Sequence, residues 1–151
     1  MAKQMIKTLS MLMLLAVVSL ATTAVSAQSA RRVIATIPFS FTVGDKAMPA
    51  GTYSVQAVSV GSSILRITGT NNSKSMVRLT SSLQRNNSTK GKFVFHRYQD
   101  QYFLAEIWAT GESQGRQLIK SSREKAMERE QLASNSGKNA YQVIEVMVVG
   151  Q

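Results

Sequence analysis

Val33-Ile34-Ala35-Thr36-Ile37-Pro38-Phe39-Ser40-Phe41-Thr42-Val43 alternates apolar and polar side chains along almost its whole length. Val33, Ala35, Ile37, Phe39, Phe41 and Val43 share one direction, and Thr36, Pro38, Ser40 and Thr42 the other. Period two in β-branched and aromatic residues predicts a strand with one buried face. Pro38 has no N–H to give a ladder, so it marks an edge or a local bend.

Downstream the same pattern repeats between turn signals. Gly44-Asp45 closes the first strand, and Met48-Pro49-Ala50-Gly51 fits a type I turn with Pro at its second position. Strands are expected over 52–60, with Tyr53, Val55 and Ala57 on one face, then over 64–68 and 75–80, separated by Gly61-Ser62 and the polar 69–73 loop. Residues 81–91 read as a polar loop. The strongest hairpin signal is Phe93 to Tyr98 and Tyr102 to Trp108 around Gln99-Asp100-Gln101. Gly111 to Gly115 is another loop. Ser121 stands three residues before Glu124, a capping-box spacing that predicts a highly charged surface helix to about Ala133. After a polar linker, Tyr141 to Val149 predicts a last strand, apolar enough to be buried on both faces. About seven strands and one helix follow, with turns too close together for crossover connections. The expected fold is all-β, mainly an antiparallel β-sandwich or small β-barrel, with one surface helix near the C-terminus.

Upstream of residue 33 the pattern is different. Lys3 and Lys7 precede an apolar run from Leu9 to Ala21, broken only by Ser10 and Ser19, and Val25-Ser26-Ala27 follows. A basic start, an apolar core and small residues at −3 and −1 predict a signal peptide over 1–27, helical while intact, cleaved between Ala27 and Gln28. The apolar core is shorter than the roughly 20 residues of a spanning helix, so the mature protein is not expected to span a membrane. No cysteine occurs, so neither a lipid anchor nor a disulfide framework is expected. A periplasmic or secreted single domain of 124 residues, 28–151, remains, long enough to bury a core of its own.

Charge is distributed unevenly. Residues 46–99 contain eight basic residues and no acid, whereas 100–151 contain six bases and seven acids. Arg66, Lys74, Arg78, Arg85, Lys90, Lys92 and Arg97 are candidate anion-binding residues, with an anionic envelope component or acidic polysaccharide as the partner. Specific nucleic-acid recognition is not expected. The competing explanation is that these cations are solvated outward positions on half-buried strands.

Catalytic signals are weak. His96 is the single histidine, with Tyr98, Asp100 and Glu106 near it in the hairpin, and a general base needs a fuller constellation. With one His and no Cys, no metal site is expected. Phosphate-cradling loops and nucleophile elbows are lacking, so no cofactor is expected. Glu106, Glu112 and Glu145 have no spacing that pairs them for glycoside hydrolysis.

Two stretches resemble a group of small exported proteins common in acidobacterial genomes. One is Ile37-Pro38-Phe39-Ser40-Phe41-Thr42-Val43-Gly44 through Met48-Pro49-Ala50-Gly51-Thr52-Tyr53. The other is Phe95-His96-Arg97-Tyr98 through Tyr102 to Trp108, continuing to Gly115-Arg116-Gln117-Leu118 and the charged 121–130 segment. The resemblance implies a bacterial source and an exported location, and it transfers no site residue.

Two non-enzymatic functions follow as expectations. The first is a binding or envelope-associated β-domain with affinity for anionic surfaces. The second is a barrel-type carrier holding a small apolar molecule among Phe39, Phe41, Tyr53, Phe93, Phe95 and Trp108. A hydrolase using His96 ranks behind both.

Overall fold

The computed structural model describes residues 31–71, 74–84, 90–134 and 139–150. The expected signal peptide, with Ala27 and Gln28, lies outside the described residues, as does Arg85. The strands are β1 Arg32–Ile37, β2 Phe41–Val43, β3 Lys46–Met48, β4 Gly51–Ala57 and β5 Ile64–Gly69. They continue with β6 Ser75–Gln84, β7 Lys92–Tyr98, β8 Gln101–Trp108 and β9 Gln114–Leu118. A helix, α1 Ser122–Ser134, and a final strand, β10 Gln142–Met147, complete the described chain.

The strands form one mixed sheet that does not close on itself. Its path runs β1-β4-β5-β6-β9-β8 and branches there, through β7 to β10 on one arm and through β2 to β3 on the other. Every pairing is antiparallel except the contact of β2 with β8 at Thr42 and Phe103. The far ends of the longer route meet at an isolated bridge. Ile34 N–H donates to the Gly150 carbonyl at 2.8 Å, and Val149 N–H donates to the Ile34 carbonyl at 2.8 Å.

The continuous strand expected over 33–43 is two strands, because the chain bends at Pro38 to Ser40. Its alternation survives the bend: Val33, Ala35, Ile37, Phe41 and Val43 are all buried. They join Tyr53, Val55, Leu65, Ile67, Phe93 and Phe95 in the main core. Phe41 meets Tyr53 and Phe95 edge-on at 5.0 and 5.4 Å, and Phe39 meets Phe95 at 5.2 Å. Edge-to-face packing suits the ring quadrupoles, and each fully buried ring contributes about 2–3 kcal/mol from area alone. At the hairpin tip Gln99 takes a left-handed φ of 53°, as tight two-residue links demand.

Four expectations are corrected. β3 and β9 form where turns and a loop were expected, each by pairing with a neighbour: β3 with β2, β9 with β6 and β8. β6 runs to Gln84, past the expected end at residue 80, because β9 continues its ladder. β10 is buried on one face only; Ile144 and Val146 pack on the core, whereas Val143 and Met147 are 55% and 50% exposed. Over its own length β10 pairs with β7 alone. Finally, not every midchain cation is a solvated outward position. Lys92 is buried although it shares the outer face with Trp108, and Arg78 stands between buried Met76 and Thr80 on the inward side of β6.

The helix begins as its cap predicts, with Glu124 N–H donating to the Ser121 hydroxyl at 3.2 Å. Its buried residue is Glu124, while Leu132 is exposed.

Candidate functional site

His96 lies on the outer side of β7, opposite core Phe95, and α1 crosses over it. Its Nδ1 is 3.0 Å from Glu124 Oε1, and its ring stacks on Tyr141 at 3.9 Å. The Tyr98 hydroxyl donates to the same carboxylate oxygen at 3.5 Å, a long bond for this pair. Burial, then the charges of Glu124, Glu128 and Tyr141, with the Glu124 hydrogen bond, hold the Tyr98 phenol well above its ordinary range. Neither Asp100 nor Glu106 is a partner of His96: Asp100 pairs with Arg97, and Glu106 accepts from the Trp108 indole at 2.8 Å. The His96 and Glu124 side chains are only 8% and 5% exposed. This cluster is a clasp that seats α1 on the sheet.

The described members of the predicted cation set have different surroundings. Lys92 pairs with Glu145, and Arg97 pairs with Asp100 while lying over the Tyr102 ring. Arg78 donates to the Val43 carbonyl at 3.2 Å and packs on Gly44. Arg66, Lys74 and Lys90 are exposed. Lys46 reaches the Ser75 carbonyl at 3.3 Å, next to Lys74 in the chain. The three glutamates do not form one site either: Glu106 and Glu145 flank Val94 on the outer face, and Glu112 pairs with Arg31 elsewhere. Among the described residues, no three His, Asp or Glu side chains gather as metal ligands.

A hollow lies at one end of the sheet, where β1 and β5 begin, β4 and β8 end, and the β8–β9 link turns. It has a volume of about 870 Å³ and opens to solvent. Val33, Val55, Leu65 and Ile107, all buried members of the main core, form its floor. Ala57 and Ala109 line its walls, and Arg31, Gln56, Glu112 and Arg116 its polar side. Arg31 donates to Glu112 at 3.0 Å across the rim. Arg116 occupies the inward parity of β9, opposite Ile107 of β8 and two residues before core Leu118.

The aromatic residues expected to surround a ligand are placed otherwise. Phe39, Phe41, Tyr53, Phe93 and Phe95 fill the core with one another. Trp108 lies on the outer face against Gly115, where a Cβ would come within 2.6 Å of its ring. The hollow was missed because Arg116 sat in an expected loop boundary. A charged residue sharing a strand face with Leu118 was the available signal.

No known protein family, no curated protein and no solved structure matches this chain.

Proposed function

We propose that the protein is an exported, non-enzymatic ligand-binding domain, a barrel-like shell that takes a small, mainly apolar molecule into its open end. The observation that supports this most is the hollow of about 870 Å³ floored by four core aliphatic side chains. Ligand sites are concave and set apolar surface against convergent polar groups, and this hollow does so with an aliphatic floor facing Arg31, Gln56, Glu112, Gln114 and Arg116; the mouths of β-barrels are a recurrent location for them. The barrel-like description draws on the Ile34–Gly150 bridge, which joins the two ends of the strand path. Export is drawn from the basic, apolar and small-residue pattern of 1–27.

The test is titration with a neutral apolar fluorophore, N-phenyl-1-naphthylamine. Saturable enhancement is expected from the wild type. Ala57→Trp and Ala109→Trp, which fill the hollow from its walls, should abolish it while leaving the melting temperature within a few degrees. A dark wild type, or undiminished binding by both variants, rejects the proposal.

A second reading, adherence to an anionic envelope surface, draws on a different region. Val58, Ile64 and Leu79 are direct cross-strand neighbours on the outer face, 46%, 39% and 55% exposed, and Arg66 lies opposite exposed Val77 beside them. An apolar row beside a cation suits an interface with anionic lipid. Sedimentation with phosphatidylglycerol vesicles, absent with phosphatidylcholine and lost in Leu79→Ser, would support it. Equal sedimentation with both vesicle types, or none, would remove it.

A further inference from the structure

We infer that the open-end hollow is built for an amphipathic monocarboxylate, its apolar body on Val33, Val55, Leu65 and Ile107 and its carboxylate on Arg116. This rests on reading the hollow as a ligand site.

The two arginines that line the hollow are not equivalent. Arg31 already has a carboxylate partner, Glu112 at 3.0 Å, so the two neutralise one another at the rim. Arg116 makes no hydrogen bond or ion pair with any described residue. It is nevertheless half-buried, and strand alternation turns it inward between β6 and β8, opposite Ser82 and Ile107. A guanidinium held over an aliphatic floor gives up part of its hydration and gains nothing in return from the protein. Its planar fork matches a carboxylate with two parallel N–H···O bonds, a geometry that a lysine ammonium does not reproduce. The lining therefore presents one uncompensated positive charge above an apolar surface. The complement is a single negative charge on an apolar body.

The volume fits a molecule of chain or fused-ring size. A purely apolar guest would leave the guanidinium desolvated and unpaired, and a cationic guest would face repulsion. A polyanion would present more charge than the single free guanidinium can match. Discrimination between a carboxylate and its neutral analogue therefore falls on Arg116.

Displacement of N-phenyl-1-naphthylamine by dodecanoate and by dodecan-1-ol reads this directly, because the two probes share a chain and differ in the headgroup. The wild type should prefer dodecanoate by about ten-fold or more, the usual effect of a hydrogen bond between charged groups. Arg116→Gln should bring the two affinities together by weakening dodecanoate alone, and Arg116→Lys should restore the preference in part. Arg32→Gln makes the same change in net charge at an exposed position outside the hollow and should leave the preference intact. Thermal melting establishes that each variant is folded. If both probes bind equally to the wild type, or Arg116→Gln keeps the preference, the carboxylate inference is overturned while the apolar site stands. If neither probe displaces the dye and the cavity-filling variants bind it normally, both readings fall.

Discussion

The imidazole of His96 and the carboxylate of Glu124 meet at 3.0 Å although 28 residues separate them, and both are almost completely enclosed. One belongs to β7 and the other to the first turn of α1. Little else on the helix is apolar and covered: Met127 is half-buried, and Ala126 and Leu132 are exposed. The polar pair, rather than an apolar stripe, therefore fixes the helix to the sheet.

Truncating that contact should loosen α1 before the rest of the domain. Glu124→Ala leaves His96 and the Tyr98 hydroxyl without their acceptor, at about 1–3 kcal/mol of stability. Hydrogen exchange should report early opening of residues 122–134, with the β7–β8 ladder still protected. A double-mutant cycle with His96→Ala should show coupling between the two sites. Simple additivity would mean that the pair does not hold the helix.

Alkaline stability should depend on Tyr98. Its folded-state pKa is raised, by burial first and then by the neighbouring negative charges, so the folded protein holds the neutral phenol. The unfolded chain ionises near the ordinary value of about 10. A group raised in this way contributes its full stability below that value and loses it as the pH climbs towards the folded pKa. Chemical denaturation between pH 9 and 12 should show a decline that is shallower in Tyr98→Phe. Parallel declines would contradict the assignment.

Gly115 should tolerate no side chain. An added Cβ would stand 2.6 Å from the Trp108 ring, and that ring is tied to Glu106 through its indole N–H. Gly115→Ala should cost about 1–3 kcal/mol through overpacking. Gly115→Ala combined with Trp108→Phe should recover part of the loss, since the smaller ring leaves room. Equal melting temperatures for Gly115→Ala and the wild type would show that the ring shifts freely.

Lys92 and Glu145 should respond unequally to truncation. The Lys92 side chain is 10% exposed and that of Glu145 38%. Glu145→Ala leaves a nearly buried ammonium without its partner, a loss of about 1–3 kcal/mol, reduced by the water that reaches the exposed end. Lys92→Met removes the buried charge and keeps the length of the side chain, so its effect should be smaller. Urea denaturation of the two variants compares them, and a greater loss in Lys92→Met would reverse the argument.

Period-two patterning carried most of the β architecture, because burial of one face is a local property of the chain. Val33 to Val43 shows how far that goes: each inward residue is covered to some degree, even though Pro38 splits the strand. Pairing partners are a different matter. β9 has too few apolar residues to announce itself and is a strand because β6 and β8 flank it. Likewise β10 has the composition of a central strand and lies at the end of its arm. The His96–Glu124 contact was illegible for the same reason, since nothing near His96 in sequence reports which helix turn will cover it. Arg116 was legible only after β9 was known, when its parity with Leu118 became meaningful.

The stitch between Ile34 and Gly150 has a consequence for how the chain is made. The first described strand cannot obtain those two backbone partners until nearly the last described residue has emerged from the ribosome. Until then its outer rim stays open to any passing β-edge, so a binding chaperone or rapid passage to completion would protect the nascent domain. The joining of these two ends of the sheet therefore waits for residues 149 and 150.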